Sequence, residues 1–411
     1  MKKEKIPYIR FKKFEQNWFM VCLNKISNSI EYGLNASAKD FDGIHKYLRI
    51  TDIDDSSRLF LTDKLSSPDV NFTEEDYENY KLQKNDLLFA RTGASVGKTY
   101  LYRESDGEVY YAGFLIRARL RDSFDGNFVF QQTLTNKYKQ FIEITSQRSG
   151  QPGVNGKEYG DWKIGMTSYP EQSAIGSLFR TLDDLLASYK DSLANYQSLK
   201  ATMLSKMFPK AGQNVPEIRL DGFKGDWEVK ELGNIVDFYT GLTYKPNDMV
   251  SDGTLVLRSS NVRDGEFIYK DNVFVNPDIV NCQNVKLGDI VVVVRNGSRD
   301  LIGKHALIKS EMPNTVIGAF MTGVRYDAPE FINALLDTEI FISEINKNLG
   351  STINQITTGN FKRMKFHFPD KEEQRAIGSY FTNFDNLIVA HREKITQLET
   401  LKKKLLQDMF I

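Results

Sequence analysis

EQSAIGSLFRTLDDLLASYKDSLANYQSLKATMLSKMF, Glu171 to Phe208, is written a second time as EQRAIGSYFTNFDNLIVAHREKITQLETLKKKLLQDMF, Glu373 to Phe410. Gln172 matches Gln374, Ile175 matches Ile377 and Phe208 matches Phe410, so one offset of 202 carries the segment without a gap. Each copy follows a comparable stretch of mixed sequence, which makes the chain a tandem duplication. Repeats of this kind dictate architecture before any local pattern does.

The duplication extends into the intervening sequence. IPYIRFKKFEQNWFMVCLNKIS, Ile6 to Ser27, faces VPEIRLDGFKGDWEVKELGNIV, Val215 to Val236. Pro7, Ile9, Arg10, Phe14, Trp18, Leu23 and Ile26 correspond to Pro216, Ile218, Arg219, Phe223, Trp227, Leu232 and Ile235 at an offset of 209. KYLRITDI, Lys46 to Ile53, faces VLRSSNV, Val256 to Val262; DLLFARTGASVGK, Asp86 to Lys98, faces DIVVVVRNGSRDLIGK, Asp289 to Lys304. The order is domain, helix, domain, helix.

The repeated segment carries a helical seam. Ile175, Phe179, Leu182, Leu186, Tyr189, Leu193, Tyr196, Met203 and Met207 step by fours and threes, as do Ile377, Phe381, Phe384, Ile388, His391, Ile395, Leu398, Leu405 and Met409. Lys200 and Lys402 interrupt the two series at the same place. A 3.5-residue repeat is a coiled-coil seam, and about 37 residues make a rod of roughly 55 Å, well beyond the ~15 Å radius of gyration of a domain of about 165 residues. The two copies are therefore expected to pack together, antiparallel if a pseudo-twofold axis relates the halves, with the domains at opposite ends. Leu185, Leu199, Leu204, Leu387, Leu401 and Leu406 widen the apolar stripe, which suits helices from other chains. His391 reads as a packed seam residue rather than a ligand.

A chain of 411 residues exceeds one ordinary core. Its 41% hydrophobic and 26% charged residues are those of a soluble globular protein. No run of 18 apolar residues occurs and MKKEKIPYIR lacks an apolar signal core, so a cytoplasmic protein without membrane association is expected. Cys22 and Cys282 cannot build a disulfide framework or a thiolate zinc site, and the histidines stand singly at 45, 305, 367 and 391, so no metal is expected. The 54 basic and 54 acidic residues cancel, which argues against a protein that coats nucleic acid indiscriminately. A local basic groove on a neutral whole still permits sequence-specific binding.

Between the helices, LLFA, TYLYR, VYYAGFLIRARL, IVVVV and HALI read as strands, while NFVFQQTLTNKYKQFIEITS and EFINALLDTEIFISEIN have helical spacing. Each domain is α/β or α+β. In both halves an arginine leaves a strand into a glycine turn, Arg91-Thr92-Gly93 and Arg295-Asn296-Gly297, with Gly97-Lys98 and Gly303-Lys304 downstream. TGASVGKT invites a phosphate-loop reading but has Thr92 where glycine is required and runs into a strand; the second copy has His305 where a hydroxyl should bind magnesium. A DNA-facing turn fits better, with arginine or asparagine reaching base edges and Lys98 and Lys304 placed for phosphates. A plain hairpin with solvated charges is the alternative.

Catalytic patterns are missing. There is no dinucleotide fingerprint, nucleophile elbow or metalloprotease helix. Pro369-Asp370 reads as the turn that starts the second helix, and Asn276-Pro277-Asp278 lacks the aromatic of an adenine-flipping motif.

Two variable domains, each followed by EQ-x-A-I-G-x-x-F…D…L-K…M-F, resemble the specificity subunit of a type I restriction-modification system, over essentially the whole chain; PEIRLDGFKGDW, Pro216 to Trp227, is a further carrier. The resemblance implies an α/β (α+β) fold of two tandem target recognition domains, 1–169 and 211–368, separated by two long spacer helices, 170–210 and 369–411, as an antiparallel coiled coil. Each domain would read one half of a bipartite, asymmetric site in double-stranded DNA, and the helices would fix the unread spacer. The chain would be no enzyme and bind no cofactor. Two methyltransferase subunits would bring S-adenosylmethionine for adenine N6; two restriction subunits would bring ATP and magnesium. The DNA contacts are placed on Arg49, Arg91, Thr92 and Lys98 in the first domain, and on Arg258, Asn261, Arg295, Asn296, Arg299 and Lys304 in the second. The polar turns 147–155 and 351–355 are expected nearby. Helix packing is placed on Ile175, Phe179, Leu182, Leu186, Leu193, Ile377, Phe381, Phe384, Ile388, Ile395 and Leu398. A coiled-coil scaffold for protein partners, without DNA specificity, is the alternative.

Overall fold

The computed structural model describes residues 6–148, 150–349 and 354–411. It divides into two compact units, residues 1–191 with 392–411, and residues 192–391. This division cuts across the linear order of domain and helix. The central helix, Tyr169–Met207, gives its first part to unit 1 and its last part to unit 2; the terminal helix, Lys371–Asp408, does the reverse.

The two units repeat one sheet plan. In unit 1 the antiparallel order is Ser27–Tyr32, Leu115–Leu120, Asp86–Ala90, Thr99–Leu101; in unit 2 it is Asp237–Thr240, Met321–Arg325, Ile290–Val293, His305–Leu307. Leu87 lies opposite Ala118, as Ile290 lies opposite Val324. The central strands are buried along their whole length, which is why they read as continuous apolar runs. VYYAGFLIRARL is two strands, Val109–Tyr111 and Leu115–Leu120, because the Leu115 amide closes a turn onto Ala112 O at 2.8 Å. The helical stretches also divide. Thr135 and Thr338 accept the amides of Tyr138 and Phe341 and so cap new helices, Asn136–Thr145 and Glu339–Asn348.

The helix motif fastens each unit. Glu171 and Glu373 are fully buried and take bidentate bonds from the arginines of the repeated openings: Arg10 at 2.6 and 2.8 Å, Arg219 at 2.8 and 2.7 Å. Gln172 and Gln374 donate to Thr167 O and Pro369 O at the helix starts. Asp370 caps the terminal helix by accepting the Glu373 amide at 2.8 Å.

The closing Met-Phe of each helix completes a core. In unit 1 Phe410 stacks among Trp18, Phe128 and Phe179, with ring centroids 6.2, 5.5 and 5.7 Å away. In unit 2 Phe208 meets Trp227, Phe331 and Phe381 at 5.9, 5.7 and 6.2 Å. Within each unit the helix segments run antiparallel: Asp183 pairs with Lys402 and Lys190 with Glu399 in unit 1, while Lys200 pairs with Asp385 and Tyr196 packs on His391 in unit 2. The two lysines that break the seam thus become register pins, each held on an aspartate of the opposing helix. Ile175, Phe179, Leu182, Leu186, Ile377, Phe381, Phe384, Ile388, Ile395 and Leu398 are buried; Leu193 is half-buried. Leu204 does not widen the outer stripe but sits in the unit 2 core beside Met207 and Phe208. Leu185, Leu199, Leu387 and Leu401 stay exposed.

Candidate nucleic-acid interface

In each unit an arginine follows a buried strand and lies over an exposed aromatic ring. Arg91 has its guanidinium carbon 5.3 Å from the Tyr32 ring centre and 5.8 Å from that of Phe114; Arg295 is 4.9 Å from that of Phe320. The amides of Arg91 and Arg295 donate to Phe114 O and Phe320 O at 3.1 and 3.2 Å. A guanidinium laid on a ring keeps its planar fork of donors in one orientation.

In unit 1 Arg49 and Arg91 share a cavity of about 660 Å³ with Tyr32, Asn35, Tyr47 and Phe114. Arg49 opens the turn Ile50–Asp52, and its guanidinium grips Asp52 at 2.8 and 2.9 Å, which raises its pKa and leaves part of its fork engaged. Thr92 is bridged to Gly153, so the arginine loop rests on the polar turn that precedes the helix Gly156–Gly160. In unit 2 Asn296 joins the two arginine turns, donating from Nδ2 to Ser259 Oγ at 2.9 Å beside Arg258. Arg295 bridges Gln355, and the Asn296 amide donates to Asn354 O at 3.2 Å. Of the polar turns 147–155 and 351–355, Ser149 and residues 351–353 lie outside the described residues.

Two expected contacts, Lys98 and Asn261, are corrected by the structure. Lys98 is 8% exposed, with Nζ 2.6 Å from Asp55 and 3.0 Å from Ile53 O, so it is consumed inside the unit; the same bond holds Asp55 below the usual carboxylate range. Burial came with its position directly after Gly97, a left-handed glycine (φ 83°) packed so closely on Ile142 that a side chain would collide. Asn261 is fully buried: its Oδ1 accepts the Arg258 amide and its Nδ2 donates to Ile268 O, both at 3.0 Å. It is the counterpart of Asp52 and shapes the turn. Asn296 is half-buried and organises its loop, donating from Nδ2 to Ser259 and accepting the Ser298 amide at Oδ1, which leaves one N–H and one lone pair of its amide for a further partner. Arg258 donates to Asp271 O at 2.6 Å. Arg295, Arg299 and Lys304 are exposed and Arg91 is half-buried.

Phe114 and Phe320 escaped the sequence reading. Their signal was present as AGF, 112–114, and GAF, 318–320, between matched strands. A larger cavity of about 860 Å³ in unit 1 is lined by the paired Lys98, Lys190 and Lys402 and by further cations, Arg58, Lys139 and Lys403 among them, so its wall is basic; the arginine site is elsewhere. Among the described residues no group of three or more His, Cys, Asp or Glu side chains is gathered for a metal ion, and no helix is long and apolar enough to cross a membrane.

Residues 224–400 match the family model of the type I restriction modification DNA specificity domain. The MjaVIII specificity subunit of Methanocaldococcus jannaschii is 24% identical over 382 residues, covering 90% of this chain and 85% of that one. The chain is thus similar, along most of its length, to type I restriction enzyme specificity subunits. The EcoKI specificity subunit of Escherichia coli is 24% identical to it over 194 residues, 44% of this chain and 41% of that one. The crystal structure of a type I restriction-modification S subunit from M. genitalium shares the fold of this chain, with a TM-score of 0.69 over 99% of both chains at 15% identity.

Proposed function

We propose that this chain is a type I restriction-modification specificity subunit that reads a bipartite, asymmetric sequence in double-stranded DNA, one half-site per unit. Arginines presented by the duplicated turns meet guanine edges in the major groove, while the exposed Arg299 and Lys304 meet phosphates. The helices fix the number of unread base pairs and, through Leu185, Leu199, Leu387 and Leu401, dock two modification subunits. Those subunits carry S-adenosylmethionine and methylate adenine N6; two restriction subunits add ATP- and magnesium-dependent cleavage. The chain itself supplies recognition in the cytoplasm, with no catalytic group and no cofactor.

The supporting observation is one frame, built twice, that holds an arginine on an exposed aromatic ring amid otherwise different side chains. Two readers of different sequence require that combination. Long-read mapping of methylated adenines in cells with and without the chain tests it: a bipartite motif should vanish with the chain. An unchanged methylation pattern would return the chain to a protein scaffold. Arg295→Ala should abolish methylation directed by one half-site while subunit assembly persists; normal methylation by the reconstituted complex would count against that role.

A further inference from the structure

Phe114 and Phe320 are held by more backbone bonds than an exposed turn residue ordinarily needs. Gly113 donates to Leu34 O at 2.8 Å and Ala112 to Leu48 O at 3.0 Å; Ala319 donates to Leu242 O at 2.9 Å and Gly318 to Leu257 O at 2.8 Å. Leu115 and Met321 close the turns onto Ala112 O and Gly318 O. The neighbouring strand passes so near that a Cβ on Gly33 would lie 2.1 Å from Ala112 O, and one on Gly241 would lie 2.2 Å from Gly318 O. Only glycine fits either position. This backbone frame is duplicated bond for bond, yet the rings it carries remain 60% and 51% exposed. Burial does not account for a large apolar ring fixed in place and left in water.

What each ring touches is the arginine. Among the described residues Phe320 is the one ring beneath Arg295, whereas Arg91 lies over both Phe114 and Tyr32; Thr240 stands at the unit 2 position corresponding to Tyr32. An unsupported arginine samples many rotamers and must lose that freedom when it binds. A ring face restrains the plane of the fork beforehand, and guanine O6 and N7 accept two bonds only from a fork in the right plane.

We infer that Phe114 and Phe320 are positioning residues for the reading arginines, each setting the orientation in which its arginine discriminates one guanine. The inference rests on the proposed reading of DNA by both units. Phe320 is the sharper test because Arg295 has no second ring among the described residues.

The complex with modification subunits is titrated with duplexes carrying the mapped site, and with duplexes in which single G·C pairs of one half-site are replaced. A good bidentate contact discriminates by roughly 5- to 150-fold. Phe320→Leu keeps the bulk but removes the π face, and should cut discrimination at one G·C pair by about tenfold, within that range. The salt dependence of binding should not change, because the charge of Arg295 remains. Phe320→Tyr keeps the face and should retain discrimination. Phe114→Leu should act on the other half-site, and more weakly because Tyr32 remains. If the native complex discriminates and Phe320→Leu does so equally, or if Phe320→Tyr fails as Leu does, the positioning role is wrong. If the native complex binds all duplexes equally, the DNA-reading function itself fails.

Discussion

The two units agree where the chain is fastened and differ where it faces outward. Arg10–Glu171 repeats as Arg219–Glu373, and Asp86–Arg119 repeats as Asp289–Arg325, each a bidentate pair on a fully buried carboxylate. Around the arginine turns the same positions carry other chemistry. Asp52 neutralises Arg49, but its counterpart Asn261 leaves Arg258 without that carboxylate. Lys98 is buried on Asp55, whereas Lys304 is exposed. The hydroxyl pair Thr99–Thr133 at 2.7 Å has as its neighbouring counterpart in unit 2 the ionic chain His305–Asp337–Lys200–Asp385, with contacts of 3.3, 2.6 and 2.6 Å. A frame that tolerates such exchanges can present different readers without changing its fold.

The largest expected effect tests which helix end belongs to which unit. Phe410→Ala should cost about 3–5 kcal/mol by opening a cavity among Trp18, Phe128 and Phe179. Hydrogen exchange should then rise in residues 6–191 while residues 192–391 hold; Phe208→Ala should give the opposite map. Faster exchange in unit 2 after Phe410→Ala would break the division.

Next come the buried carboxylates. Arg219→Ala strands the Glu373 charge and should cost about 3 kcal/mol in denaturant unfolding, and adding Glu373→Gln should recover part of it. Arg10→Ala with Glu171→Gln should behave alike. A loss in one unit only would show that the frames are less equivalent than their bonds.

The smallest effect separates the units by pH. Burial opposes the His305 cation, but Asp337, with Gly303 O, outweighs it and raises the imidazole pKa; the facing Lys200 acts the other way. Burial likewise opposes the Asp337 carboxylate, but His305 and Lys200 hold its pKa well below the ordinary range. The histidine contribution is therefore complete below the unfolded value of about 6.5 and is lost as pH rises through the raised folded value. The aspartate contribution is present above about 4 and is lost on acidification. Unit 2 should weaken as pH rises through the histidine range, by less than either substitution above, and His305→Asn should remove that slope. Thermal unfolding followed across pH would sink the idea if the slope survived.

Much of this was legible in the sequence because repetition and periodicity are local properties. The seam residues, the central strands and the arginine turns could be picked out by spacing alone. The fate of single polar side chains could not. Nothing adjacent to Lys98 or Asn261 says that Asp55 or Ile268 O will claim it, because those partners arrive through turns. Phe114 was hidden inside a run that looked like one strand, since the bonds from Gly113 and Ala112 to Leu34 and Leu48 join positions more than 60 residues apart.

By itself, the sequence determined that the chain is a duplication, that each half carries a mixed domain and a long seamed helix, and that an arginine turn recurs. A repeat spacing of 3.5 or 2 residues selects helix or strand through side-chain direction, whatever lies elsewhere in the chain. Tertiary structure alone decided that each helix finishes in the other half's unit, that Lys200 and Lys402 pin the register, and that the arginines rest on Phe114 and Phe320. These depend on which distant surfaces can be desolvated together, and a buried carboxylate or ring is stable only against the partner that the folded chain brings to it.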